Sequence, residues 1–414
     1  MHLPELLAPA GNLEKLNVAV GCGADAVYLS GKRYGLRSYA GNFSRAEMEQ
    51  GVRLARAGRV KVYVTVNAVA RNSDLADLPG YLEFLGALGV DGLIVSDPGV
   101  IACARRYVPG LSIHLSTQLS TANWESAGFW QEQGVARINL ARELSLREVA
   151  EIKERVACEI EIFVHGAICI AYSGRCLLST YLAQRESNRG ECAQPCRWKY
   201  SLAEEKRPGD FFPVAEDEGG SYIFNSKDLC LIEHLPAVMA TGVDALKIEG
   251  RMKGINYVAG VTRVYRSALD CYRQDPDRFH FHPEWLEELR RLSHRDYTTG
   301  FALGTPAGSD YNYATADYVR THELVAVVTD VERRGGADAA PAGGGWIKLE
   351  VRNRIARGER IEFVDRTLQC HAGRLAEMTD VQGNPLDEAH PGRHVLIRTG
   401  LPVDKGDLVR RSKA

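Results

Sequence analysis

Gly89-Val-Asp-Gly-Leu-Ile-Val-Ser96 is the stretch on which the fold turns. It holds a glycine where a helix would have to stop, an acidic residue, and then a short apolar, β-branched run. That order describes a helix handing over to a buried strand. It recurs as Gly23-Ala-Asp ahead of Ala26–Leu29 and as Gly242-Val-Asp ahead of Ala245–Glu249. Working outward, five more runs of the same kind appear at Glu5–Ala8, Val62–Asn67, Ile113–Ser116, Arg137–Leu140 and Glu161–His165. Helical stretches separate most of them, at Leu13–Gly21, Arg45–Arg56, Leu82–Leu88, Ala102–Tyr107, Trp124–Gln133 and Leu146–Glu154. Strands alternating with helices predict an α/β protein with a parallel sheet, and eight strands predict a closed (β/α)8 barrel of the TIM type. The rival arrangement is an open doubly wound sheet. It is disfavoured because no Gly-x-Gly-x-x-Gly follows the first strand.

One connection breaks the rhythm. About eighty residues, 166–243, separate the seventh and eighth strands, where a crossover needs only a dozen or so. An insertion there leaves from the carboxyl end of a barrel strand, the face on which such barrels carry their chemistry. Asn256–Arg273 reads as the last barrel helix and Trp285–Ser293 as a further one. From Leu324 the pattern changes to short alternating runs, Leu324–Val331, Trp346–Val351, Arg360–Phe363 and His394–Arg398, parted by glycine-rich turns. The sequence therefore predicts a barrel over 1–275, a helical connector over 276–320 and a small all-β, barrel-like domain over 321–414.

Lysine and arginine number 51 against 53 acidic residues, giving a net charge of −2. That balance excludes a uniformly basic nucleic-acid coat but leaves room for local basic patches. No apolar run reaches the ~20 residues that a membrane helix needs. Met1-His2-Leu3-Pro4-Glu5 lacks the regions of a signal peptide, so a cytoplasmic location without membrane contact is expected. In that reducing compartment the ten cysteines are expected as thiols.

Five of those cysteines, Cys169, Cys176, Cys192, Cys196 and Cys230, fall in the insertion. Grouped thiolates suit iron–sulfur clusters and zinc. The first four are spaced by six, fifteen and three residues, which matches neither ferredoxin runs nor paired Cys-x-x-Cys zinc sites. Spacing alone leaves both metals open. Cys230, in a segment that reads as helical over Asp228–Leu235, is an alternative to Cys196. Cys22, Cys103, Cys158, Cys271 and Cys370 stand singly and read as structural.

The run Glu161-x-Phe163-x-His165-Gly-Ala-x-Cys169, continued by Ser173-Gly-Arg-Cys176-x-x-Ser179, resembles the signature of the U32 peptidase-like family. Cys192-x-Gln-Pro-Cys196-Arg-Trp, Asn225-Ser-Lys-Asp-Leu229, Lys247-Ile-Glu-Gly-Arg251, Glu5-Leu-Leu-Ala-Pro-Ala-Gly11 and His294-Arg-Asp-Tyr-Thr-Thr-Gly-Phe301 extend the likeness over nearly the whole chain. The resemblance implies a barrel whose Cys169, Cys176, Cys192 and Cys196 hold a 4Fe–4S cluster, followed by a β-barrel domain. It also implies oxygen-independent hydroxylation, with prephenate as the hydroxyl source in the RNA-directed branches. The branch that hydroxylates the wobble uridine of tRNA at carbon 5 looks nearest. A ubiquinone-precursor hydroxylase and a collagenase-like peptidase, after the family's older label, are the alternatives. Neither His-Glu-x-x-His nor Gly-x-Ser-x-Gly supports the latter.

A barrel site draws on residues just past its strands. The catalytic candidates are Asn67, Asp97, His165 and Glu249. Arg37, Gln118, Arg142, Tyr172, Arg175 and Arg251 are expected to bind substrate, with Arg142, Arg175 and Arg251 as the partners of a dicarboxylate such as prephenate, because guanidinium forks match carboxylates. Tyr172 and Trp198 could stack on an extruded base. Arg185, Arg189, Arg197 and Lys199, and separately Arg352, Arg354, Arg357 and Arg360, are the basic clusters that tRNA would require. A homo-oligomer or a paralogous partner subunit is left open.

Overall fold

The computed structural model describes residues 3–36, 41–168, 176–186, 190–195, 201–203, 211–213, 225–305, 311–312, 318–332, 345–365 and 368–413. The chain divides into two units, residues 1–283 with 294–318, and residues 284–293 with 319–414.

The first unit is the barrel. Its strands are β1 Glu5–Pro9, β2 Ala26–Ser30, β3 Lys61–Val66, β4 Gly92–Val95, β5 Ser112–Leu115, β6 Arg137–Asn139, β7 Glu159–Ala167 and β8 Ala245–Ile248. Each pairs in parallel with the next, and β8 pairs with both β7 and β1, closing the ring. All eight predicted strands are present, within a residue or two of their expected ends.

The recurring Gly-x-Asp turn does two jobs. Gly23, Gly89 and Gly242 have φ of 87°, 70° and 71°, the left-handed backbone that ends each helix without a Cβ penalty. The following aspartate then reaches sideways to the neighbouring strand. Asp25 accepts the Leu6 N–H at 2.8 Å, Asp91 that of Val62 at 2.8 Å, and Asp244 that of Ile160 at 2.7 Å. Each Asp thereby pins the start of its own strand to the one before it. Hydrogen bonds to charged groups are worth about 1.5–3 kcal/mol, so Asp91→Ala is expected to lower unfolding free energy by about 2 kcal/mol in urea titration.

Helix starts are equally local. Ser44 with Glu47 and Ser145 with Glu148 form reciprocal capping boxes on the helices Arg45–Ala57 and Leu146–Lys153. Among the described residues no helix is long and apolar enough to cross a membrane.

The barrel interior departs from the usual layers of branched apolar side chains. Leu7, Ala26, Tyr28, Tyr63 and Ile94 cluster there, beside a chain of buried charges. Lys247 Nζ lies 2.7 Å from Glu161 Oε1, Arg137 lies 3.6 Å from Glu161 Oε2, and Arg137 also meets Glu5 and Glu159, each at 2.7 Å. The Tyr63 hydroxyl donates to Glu5 at 3.0 Å. Burial alone would raise the Glu5 pKa, but Arg137 and Lys61 outweigh it and hold the carboxyl below its ordinary value.

The second unit is a seven-stranded antiparallel sheet in the spatial order Cys370–Arg374, Arg360–Val364, Leu408–Ser412, His322–Glu332, Gly345–Val351, His394–Thr399, Met378–Asp380. Its core includes Val325, Val328, Leu349, Phe363, Val395 and Val409. The helix Pro283–Arg291 joins it through Glu288, whose carboxylate takes the fully buried Arg410 guanidinium at 2.7 and 2.9 Å. The stretch read as one connector is thus divided. Residues 284–293 go with the sheet, while 294–318 go with the barrel, where Tyr297–Thr298 pairs with Asp228–Leu229.

The helical reading of Asp228–Leu235 does not hold. Asp228–Cys230 is a strand, antiparallel to the end of β7 with Cys230 opposite His165, and helix begins only after it. A short apolar run has no decisive period of its own. Here the protruding end of β7 supplies the ladder.

Candidate active site

The carboxyl ends of the strands gather the expected polar residues into two groups. On the β3–β5 side, Asn67 Nδ2 donates to Gln118 Oε1 at 2.7 Å, and Gln118 Nε2 returns a bond to the Asn67 carbonyl at 2.9 Å. Asn67 Oδ1 accepts the Leu36 N–H at 3.1 Å, and Ser116 Oγ donates to Gln118 at 3.0 Å. Both amides are spent on one another and on the loops, so they stiffen the rim. Asp97 is similarly committed. Its Oδ1 caps the helix Pro98–Tyr107 through Gly99 N–H at 2.7 Å, and its Oδ2 accepts Ala70 N–H at 3.3 Å.

On the β6–β8 side, Arg142 donates through Nη1 to the Ala167 carbonyl at 2.9 Å, at the root of the cysteine insertion. Its guanidinium carbon stands 3.9 Å from the centre of the Phe163 ring, and Nη2 is 4.0 Å from Glu249 Oε2. Its Nε is buried with no hydrogen-bond partner among the described residues, a donor left over at the barrel mouth. Lys247 Nζ also lies over the Phe163 ring, 5.5 Å from its centre. Glu249 is fixed by its backbone, which donates to the His165 carbonyl at 2.8 Å and accepts from the Tyr257 hydroxyl at 2.9 Å. Gly166, at φ 106°, lets β7 pass close by. A Cβ there would meet the Glu249 carbonyl at 2.5 Å. Arg251 is buried, and its carbonyl accepts from Lys15 Nζ at 3.0 Å.

His165 is enclosed. Rings of Tyr257, Tyr265 and Tyr297 surround it at 5.9, 5.6 and 5.4 Å, and neither ring nitrogen has a hydrogen-bond partner among the described residues. Burial first, and then the nearby Lys253 and His294, push its pKa down to about 3. His114, inside the barrel, is lowered in the same way by burial and by Arg137, Lys247 and Lys61. Both are neutral in the folded protein near neutral pH and carry an ordinary pKa when unfolded. The unfolded chain therefore binds protons first, and stability falls as pH drops below about 6.5. Each such histidine contributes about 1.4 kcal/mol per pH unit over that range. His165→Phe is expected to flatten the fall in thermal midpoint between about pH 6.5 and about pH 5.

Two of the four candidate ligands are described. Cys176 and Cys192 are half-buried and in no disulfide. Helix Leu178–Ala183 starts two residues after Cys176, and its Ser179 Oγ accepts the Ala193 N–H beside Cys192 at 3.0 Å. The Gln194 N–H donates to Cys192 Sγ at 3.4 Å, the kind of bond that stabilises a metal-bound or ionised sulfur. Arg71 ties the insertion to the loop after β3 through Glu186 at 2.5 Å. These residues suit a thiolate-held metal. Cys169 and Cys196 lie outside the described residues, as do Arg37, Tyr172, Arg175, Trp198, Arg189, Arg197 and Lys199. No three potential ligands converge among those that are described. Cys230 is buried, and its thiol is hydrogen-bonded to the Tyr265 hydroxyl.

The sequence reading missed Glu161, Lys247 and Arg137. The available signal was a charge at an inward position of an otherwise apolar strand, which costs too much to bury unless it is paired.

The architecture is a TIM-type barrel with a cysteine-bearing insertion at the carboxyl end of β7, followed by an antiparallel β unit. The chain belongs to peptidase family U32: residues 11–312 match that family's profile, and residues 320–410 match its C-terminal domain. It is 42% identical to "tRNA hydroxylation protein P1" of Bacillus subtilis, over 99% of this chain and 95% of that one. It is 37% identical to "tRNA hydroxylation protein P" of Escherichia coli, over 98% and 95%. A 23S rRNA 5-hydroxycytidine synthase of Escherichia coli is 36% identical over 65% of this chain and 40% of that protein.

Proposed function

We propose that this chain is an RNA-modifying enzyme, an oxygen-independent hydroxylase that forms 5-hydroxyuridine at the tRNA wobble position. The observation that carries this reading is the near-full-length likeness to two proteins named for tRNA hydroxylation. In this account Cys169, Cys176, Cys192 and Cys196 hold a 4Fe–4S cluster, and prephenate is the source of the hydroxyl group. Such a cluster, when bound, supplies redox-active iron. The chain's own residues bind and orient. Arg142 is immobilised by Phe163 and the Ala167 carbonyl, and its unused Nε offers a charge-assisted bond to a carboxylate at the mouth. Glu249 lies against the same guanidinium and is the candidate for moving a proton. Asn67 and Gln118 hold the opposite rim.

A peptidase triad finds no support in the buried barrel histidines. Among the described residues, His165 makes no ring hydrogen bond to a carboxylate or hydroxyl, and His114 Nδ1 has no hydrogen-bond partner. Arg142→Lys keeps the charge but loses the planar fork. It is expected to cut prephenate affinity by about tenfold or more in anaerobic calorimetry, the ~1.4 kcal/mol of one charge-assisted bond, and to leave iron content unchanged. Unchanged prephenate affinity would remove Arg142 from the site. Prephenate-independent peptide cleavage by the metal-loaded protein would favour the older label.

A further inference from the structure

We propose that Arg357, Arg360 and Arg374 form a phosphate-binding patch on the C-terminal unit, one that grips the sugar–phosphate backbone of the RNA. The proposal rests on the RNA reading above and adds a second site to it.

The patch begins with a register. In the antiparallel pair Arg360–Val364 and Cys370–Arg374, Arg360 stands directly opposite Arg374, and both are exposed. Like charges facing each other across a ladder cost stability. The Gly358 turn adds the third guanidinium to the same end of this pair. Arg374 Nη1 donates to the Gly358 carbonyl at 3.2 Å, and Arg357 Nε donates to the Ala376 carbonyl at 3.0 Å. Two of the three side chains are thus braced across the strand end by a main-chain oxygen, each with further N–H donors to spare.

The local acids are already engaged elsewhere. Arg352 meets Glu350 at 3.2 Å, Arg354 meets Glu388 at 2.7 Å, and Arg411 meets both Glu323, at 2.6 Å, and Glu359. Glu359, which lies in the turn itself, also accepts the Ala356 N–H. No ion pair joins Arg357, Arg360 or Arg374 to a carboxylate among the described residues. The structure therefore sorts the basic cluster of the sequence. Arg352 and Arg354 are neutralised, Arg357 and Arg360 are not, and Arg374, which the sequence reading did not include, completes the set. Three neighbouring guanidinium forks, two of them braced, with no ion-pair partner among the described residues, suit phosphodiester oxygens, which accept them bidentately.

The test is filter binding of the full-length protein to unmodified tRNA between about 50 and about 200 mM salt. Replacing all three arginines with glutamine is expected to weaken binding at least tenfold. The slope of log affinity against log salt should fall by about 2, from three phosphate contacts at about 0.7–0.9 each. The thermal midpoint should hold or rise, since a like-charge pair is removed. The triple lysine variant should keep most of the slope, because it keeps the charge. The Arg352→Gln, Arg354→Gln pair should change the slope by less than about 1. A triple glutamine variant with the wild-type slope would overturn the patch while leaving the RNA reading intact. Wild-type protein with no salt-dependent tRNA affinity would overturn both.

Discussion

Cys192→Ala protein purified without oxygen is expected to be colourless, with iron falling from about four per chain to near zero. The same loss is expected for Cys169→Ala, Cys176→Ala and Cys196→Ala, and tRNA hydroxylation should disappear with it. The structural ground is local. The Ser179–Ala193 bond links the helix that follows Cys176 to the turn that holds Cys192, and the Gln194 N–H donates to Cys192 Sγ. Cys230→Ala should retain the iron. That thiol is buried in the strand beside β7 and engaged with Tyr265, so its loss costs packing. If Cys230→Ala loses the iron while Cys196→Ala keeps it, the fourth ligand is misassigned. Stoichiometric zinc without iron in anaerobic protein would reject the cluster altogether.

The second large effect is expected inside the barrel. Lys247→Met is close to isosteric but leaves Glu161, which is 1% exposed, without its 2.7 Å partner. Breaking a buried ion pair from one side costs about 3–5 kcal/mol, whereas removing both charges is often nearly neutral. Urea unfolding of Lys247→Met should show that loss with an unchanged m-value. Adding Glu161→Gln should recover part of it, because the stranded charge goes too. A single-variant cost below about 1 kcal/mol would mean that the interior charges are better hydrated than this geometry implies. Phe163 links this network to the mouth, because Lys247 and Arg142 both lie over its ring. The double variant should therefore also perturb prephenate binding.

The barrel was legible because its signals are local. The helix-ending glycine, the aspartate and the apolar run lie within eight residues of one another in Gly89–Ser96. What the aspartate does was not legible, since Asp25 bonds back to Leu6 and Asp244 back to Ile160. The charge network was hidden for the same reason, because Glu161 and Lys247 meet only once the ring closes. Asp228–Cys230 reads as helix until the extended end of β7 lies beside it. In the second unit, four of the sheet's seven strands were found. Met378–Asp380 and Leu408–Ser412 were not, and neither was Cys370–Arg374, since no residue of that last strand is buried and no period shows. That omission also hid Arg374. At the site, residue types pointed to the mouth but did not show the contacts each would make there. Asp97 caps a helix, Asn67 and Gln118 bond to one another, and His165 is a buried ring. All but the cap depend on residues distant in the sequence or on the closed barrel.

The central claim is tested most directly by nucleoside mass spectrometry of tRNA from cells lacking this chain and any paralogue, with and without the wild-type chain restored. The account predicts that 5-hydroxyuridine and the nucleosides derived from it vanish on deletion, return with the wild-type chain and do not return with Cys192→Ala. An unchanged tRNA nucleoside profile in the deletion strain would contradict it.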